Sequence, residues 1–281
     1  MKSDVLAFIF GLISAASFGT ADFCGGFATK RNSVFSVILI SQVFGLVLLI
    51  VLAVVLRENV PSAETILLGA LAGIFGAIGL VALYRGLAIG RMSVVAPVSA
   101  VIAAVFPVIV GIFIEGIPTY GHLVGLTLGL CAIWNLAGGG SGTPIHRYEL
   151  CLPVAAGLAF GLFFIIIDQV SSAAILWPLV AARIVSITML SSLITIRRDG
   201  IKPVMNQLII IATAGFFDAG GNVLFALATR LGRLDISATL TSLYPAGTVF
   251  LAWIVLKERL SLRQWFGVLI GLVALVLIAW T

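Results

Sequence analysis

The chain has 281 residues, of which 61% are hydrophobic and 10% charged, with 16 basic and 11 acidic side chains and a net charge of +5. Soluble domains carry about 25% charged and 45–50% apolar residues. A soluble enzyme, a disordered regulator and a secreted disulfide scaffold are therefore excluded, and an all-α integral membrane protein remains.

A spanning helix needs roughly 20 mostly apolar residues. Run length, interrupted by charge, Gly and Pro, predicts spans near 5–26, 34–56, 65–88, 93–114, 119–137, 149–168, 173–196, 207–229, 235–256 and 262–280. The first run lacks a small-residue cleavage pattern and reads as a span rather than a signal peptide. Span 1 carries Ser14, Phe18 and Asp22 at four-residue steps, which is one helical face. Two readings of Asp22 stay open: cavity lining, or an interfacial cap near Gly25-Gly26. Span 3 holds Gly73, Gly76 and Gly79, a pattern of close helix contact, and carries Tyr84 near its end. Span 4 holds Pro97, Ser99 and Pro107. Residues 138–148 open with Gly138-Gly139-Gly140-Ser141-Gly142 and read as a flexible linker.

Beyond the linker, Asp168 ends span 6 and reads as an interfacial residue. Arg183 lies in mid-span 7, with three readings: a pair with Asp218, a pair with Asp22, or a grip on a substrate carboxylate. Asp218 sits in the middle of span 8, with Asn222 one turn later. An ionisable residue at the bilayer centre costs about 2.5–3.5 kcal/mol on insertion scales, so such residues face a partner or a cavity. Span 9 carries Ser237, Thr241, Tyr244 and Thr248 on one helical face, read as cavity lining or as hydroxyls bonding back to the helix. Pro97, Pro107 and Pro245 remove ladder donors and mark expected kinks or gates. Phe18, Phe160 and Trp253 are candidate aromatic walls.

The two halves recur at a shift of 142 residues. Phe18-Gly19 returns as Phe160-Gly161, and Gly73, Gly79 and Gly90-Arg91 return as Gly215, Gly221 and Gly232-Arg233. Between 70 and 91, nine of 22 positions are identical at that shift. The expected organisation is a first five-helix repeat at 1–137, a linker at 138–148 and a second repeat at 149–281. Five is odd, so the second copy enters from the opposite side. Ten transmembrane helices then form two inverted five-helix repeats, an architecture typical of secondary transporters with a midplane site. In this register Asp218 and Asn222 fall on Gly76 and Leu80, so only one copy is polar there. The two Gly-Arg loops are expected to be glycine caps followed by headgroup-facing arginines.

Several motifs carry a family resemblance: Ser17-Phe18-Gly19, Tyr84-Arg85-Gly86-Leu87-Ala88, Tyr244-Pro245, Leu256-Lys257-Glu258-Arg259-Leu260-Ser261 and Gln264-Trp265-Phe266-Gly267. With them the chain resembles the drug/metabolite transporter superfamily of EamA type. The first half departs from it, because Glu115-Gly116-Ile117-Pro118 offers its Glu no basic partner. The resemblance implies ten helices and a central cavity lined by spans 1, 3, 4, 6, 8 and 9. It also implies transport of small metabolites, often export of amino acids or drugs.

An enzyme reading lacks parts. His122 and His146 stand alone, no His/Cys/carboxylate cluster has metal spacing, and no phosphate loop or Gly-x-Ser-x-Gly elbow occurs. No cofactor or metal is expected. The expected function is alternating-access transport of a small organic metabolite across the plasma membrane, as an exporter. The alternatives are a passive channel and a non-transport scaffold. Expected partners are the lipid bilayer, a small-molecule substrate and, if an intramembrane carboxylate carries them, protons. A monomer suffices, a dimer is compatible, and no basic face for nucleic acid is visible. The expected substrate and ion residues are Ser14, Phe18, Asp22, Tyr84, Ser99, Arg183, Asp218, Asn222, Thr241 and Tyr244.

Lys30-Arg31, Arg147, Lys257, Arg259 and Arg263 favour the odd-numbered loops, which the positive-inside rule places in the cytoplasm with both termini outside. The family resemblance implies the reverse. The charge rule predicts that a C-terminal alkaline phosphatase fusion is active in the periplasm; a fluorescent C-terminal GFP fusion would reverse the assignment.

Overall fold

The computed structural model describes residues 2–89, 92–137, 147–197, 207–256 and 261–280, and these contain helices and no strand. In chain order the helices are α1 (Lys2–Thr29), α2 (Val34–Val55), α3 (Ala63–Ile89), α4 (Met92–Glu115), α5 (Tyr120–Ala137), α6 (Arg147–Ser171), α7 (Leu176–Arg197), α8 (Leu208–Leu231), α9 (Leu234–Thr241), α10 (Tyr244–Leu256) and α11 (Leu262–Trp280). Lipid offers no hydrogen bonds, so a spanning segment must satisfy its backbone internally, and helices do this. Among the described residues, seven stretches are long and apolar enough to cross a bilayer, making this a multi-pass membrane protein. Each expected span overlaps a helix. The Gly90-Arg91 pair, linker residues 138–146 and residues 257–260 lie outside the described residues.

The second helix shows how the bundle separates lipid from interior. Ile38, Gln42, Gly45, Leu49 and Ala53 form a buried stripe at helical spacing. Val43, Val47, Val51 and Val54 form the opposite stripe and are 44–64% exposed. Both faces are apolar, which is stable only where the outer one meets lipid.

Packing interleaves the two halves. The first helix lies along α8 and α10, α2 along α7 and α8, α3 along α6 and α7, α4 along α6, and α5 along α11. Exchanging each helix for its counterpart at the 142-residue shift turns the α1–α8 contact into α6–α3, and α2–α8 into α7–α3. The glycine contacts follow the same exchange of helices. A Cβ on Gly79 would strike the Phe160 ring, and one on Gly221 would meet the Phe18 ring. Gly73 abuts the backbone of Ala182, while Gly215 abuts that of Ser41.

Helix ends are tied by particular side chains. At the start of α3, Ser62 Oγ accepts from the Thr65 amide at 3.3 Å, an N-cap bond. The Glu58 carboxylate, in the loop after α2, accepts the amides of Ile175, Leu176 and Trp177 at 2.8–3.0 Å. It thereby caps α7 from the other half of the chain, where a negative charge also suits the helix dipole. The Trp177 indole donates to the Glu58 carbonyl at 2.9 Å.

Two expectations change here. Span 9 is not one helix: α9 ends at Thr241 and α10 begins at Tyr244, because Pro245 has no amide to bond the Thr241 carbonyl. Its polar stripe therefore does not form a continuous face. By contrast, α4 passes through Pro97 and Pro107, and α6 through Pro153, as continuous helices. Arg233 is not turned to headgroups. Gly232 has an extended backbone (φ −142°, ψ −168°), which places Arg233 at the head of α9. There it grips the fully buried Asp235 at 2.9 and 3.1 Å and the Gly116 carbonyl at 2.7 Å.

Replacing Glu58 with Ala strands three amides at the start of α7. The expected loss is about 1–2 kcal/mol, the upper range for a helix cap, seen as a lower melting midpoint in detergent; an unchanged midpoint would show that the carboxylate does not hold α7.

Candidate functional site

A cavity of about 670 Å³, counting the part open to its surroundings, lies between the halves. The first half contributes Phe18 and Asp22 from α1, Gln42 from α2, Gly73, Gly76, Ala77 and Leu80 from α3, and Ala103 from α4. The second half contributes Phe160, Phe163 and Phe164 from α6, Leu179, Ala182, Arg183 and Ser186 from α7, Asp218 and Asn222 from α8, and Tyr244 from α10. Four pairs separated by the 142-residue shift both line it: Phe18 and Phe160, Asp22 and Phe164, Gly76 and Asp218, and Leu80 and Asn222. The last three pairs each join a polar residue to an apolar or glycine counterpart.

The polar floor centres on Arg183. Its Nη2 lies 2.5 Å from Asp218 Oδ2, and its Nη1 donates to Gln42 Oε1 at 2.6 Å. The guanidinium, buried in mid-helix α7, is thus held by α8 on one side and α2 on the other. This is the Asp218 pairing among the three readings of Arg183. The glycine approaches permit it: Gly45 and Gly215 bring α2 and α8 close enough for two short side chains to reach one arginine.

Asp22 is buried in the cavity wall, away from the helix end, and forms no hydrogen bond or ion pair among the described residues. Asn222 donates to the Asp218 backbone carbonyl one turn back at 2.7 Å. The Ser186 hydroxyl is buried and has no hydrogen-bond partner among the described residues. The rest of the lining is apolar or glycine apart from Tyr244, with a phenylalanine cluster in which Phe18 lies 6.2 Å from Phe164 between ring centroids and Phe164 lies 5.8 Å from Phe163.

Of the residues singled out from sequence, Phe18, Asp22, Arg183, Asp218, Asn222 and Tyr244 meet in this cavity, as does Phe160. The others are placed elsewhere. Ser14 donates to the Gly221 carbonyl at 2.8 Å and stitches α1 to α8. Tyr84 is buried between α1 and α3, its hydroxyl 3.4 Å from the Ala21 carbonyl. Ser99 meets the Tyr244 hydroxyl at 3.4 Å, and that hydroxyl also donates to the Ala96 carbonyl at 3.3 Å. Thr241 ends α9 with a buried hydroxyl that has no partner. Thr248 donates to the Gly19 carbonyl at 3.2 Å, binding α10 to α1. Trp253 is exposed beside Phe250 on the outside of α10.

Gln42 and Ser186 were missed from sequence: α2 was not expected to line the cavity, and on α7 only Arg183 was singled out. A lone amide in the apolar run 34–56 was the available signal for Gln42, since a buried amide needs a partner. Ser186 carried no such signal.

Removing one partner of a buried ion pair typically costs about 3–5 kcal/mol, because the other charge is stranded. Arg183→Leu and Asp218→Asn should each lower the melting midpoint in detergent, and the double variant should recover part of the loss. A double variant no more stable than the worse single one would deny that the pair is coupled.

Among curated proteins, none matches this chain by sequence. One solved crystal structure aligns with a TM-score of 0.77 over 96% of this chain and 95% of its own, at 13% identity. That likeness is one of fold alone. The family model of EamA-like transporters matches residues 147–280, which span α6 to α11. Over residues 147–280, which make up just under half of it, the chain is similar to the EamA-like transporter family.

Proposed function

We propose that the protein is a secondary transporter that moves a small organic metabolite across the plasma membrane by alternating access, in the export direction usual for its family. The cavity between α1, α2, α3, α6, α7, α8 and α10 is its substrate site. The observation that carries this reading is that the cavity's charged residues come from both halves, Asp22 from one and Arg183 and Asp218 from the other. A site shared between two bodies changes its exposure when the bodies move against each other.

The architecture we propose is ten spans in two inverted five-helix repeats, 1–137 and 149–281, with α9 and α10 forming one interrupted span. The exchange symmetry of the packing supports it: Gly79 meets Phe160 as Gly221 meets Phe18, and Gly73 meets α7 as Gly215 meets α2. Small residues at these crossings let helices pack closely in lipid. A channel would need no such matched pair of bodies around an ion-paired floor.

The test is counterflow in liposomes reconstituted with purified protein and preloaded with a panel of unlabelled amino acids and amines. Saturable uptake of the labelled counterpart supports the reading, and its absence across the panel opposes it. Flux per folded molecule should fall at least tenfold in Asp218→Asn. Trp253→Leu, altered on the outer surface, should keep the wild-type rate. Equal rates in Asp218→Asn and wild type would remove the cavity floor from the mechanism.

A further inference from the structure

The charges lining the cavity are Asp22, Arg183 and Asp218. Two are satisfied by each other, since Arg183 spends one guanidinium nitrogen on Asp218 and another on Gln42. Asp22 is left over, 93% buried by its 7% exposure and without a hydrogen bond or ion pair among the described residues. An isolated carboxylate among apolar groups is costly, and a positive partner offsets that cost. None of the lining side chains can supply one, because the single arginine is already engaged. Phe18, Phe163 and Phe164 line the same cavity, the Phe164 ring lying 6.2 Å from that of Phe18 and 5.8 Å from that of Phe163. Aromatic faces attract cations that have been stripped of water. The buried Ser186 hydroxyl, without a partner, adds a hydrogen-bonding group to the same space.

We propose that the substrate is a small organic cation, with one positive group beside Asp22 and an apolar body against the phenylalanine wall. This rests on the transport reading and narrows its substrate class. It also takes Arg183 out of the role of gripping a substrate carboxylate, because a carboxylate would have to displace Asp218.

The probe is radiolabelled benzyltrimethylammonium, a permanent cation on an aromatic body, bound to the full-length protein in nanodiscs. Saturable binding is expected in wild type, with at least a tenfold weaker dissociation constant in Asp22→Asn and near-wild-type affinity in Asp22→Glu. Melting midpoints confirm that each variant is folded. Neither phenylacetate nor neopentylbenzene, the uncharged carbon isostere, should compete. Absence of saturable binding, unchanged affinity in Asp22→Asn, or equal competition by either analogue would overturn the proposal. The two readings separate cleanly: Asp22-dependent binding without counterflow keeps the cation site and removes transport, whereas counterflow without Asp22-dependent binding does the reverse.

Discussion

A guanidinium in the middle of a membrane-spanning helix constrains everything around it. Arg183 sits in α7, buried, and is tolerable there only because α8 brings Asp218 and α2 brings Gln42 to it. That requirement fixes the distance between three helices, two from the second half and one from the first. It explains why Gly45 and Gly215 stand where α2 and α8 meet, since a side chain at either position would force them apart. Hydrophobic burial does not discriminate between arrangements of helices in lipid, whose tails are as apolar as leucine. A desolvated ion pair does discriminate, because a misplaced helix leaves a charge unmatched.

Around that junction the halves are woven together. Glu58 reaches from the loop after α2 to cap α7, and Gln207 at the foot of α8 accepts from Asn32 at 2.6 Å. Each contact joins the loop before the third helix of one half to the start of the second helix of the other. Ser14 and Thr248 add hydroxyl bonds from α1 to α8 and between α10 and α1. Neither half buries its own interior, so the cavity is a property of the pair.

Much of this was legible in the sequence, and the gaps have physical causes. The recurrence at 142 residues announced the matched glycines, because a glycine against a phenylalanine ring must be kept together with that ring. Asp218 and Arg183 were legible because a charge in an apolar run requires a reason. The faces of α2 were not, since Val43 on the lipid side and Ile38 on the protein side are equally apolar and differ only in what they touch. Ser14 and Tyr84 share helices with cavity residues, yet a hydroxyl that meets a neighbouring carbonyl reads the same in sequence as one that meets a solute. Pro245 marked a disturbance, and where the helix would part followed from which carbonyl lost its donor. The caps by Glu58 and Arg233 join residues more than a hundred positions apart, and spacing along the chain carries no trace of them.

The interruption between α9 and α10 has a mechanical consequence. With a rise of 1.5 Å per residue, the eight residues of α9 make a rod of about 12 Å and the 13 residues of α10 one of about 20 Å. A continuous helix transmits torque, so a twist at one end arrives at the other. Two short rods joined at Ser242 and Leu243 do not. Rotation of the α9 end, where Arg233, held by Asp235, grips the Gly116 carbonyl, is therefore decoupled from α10, where Tyr244 faces the cavity.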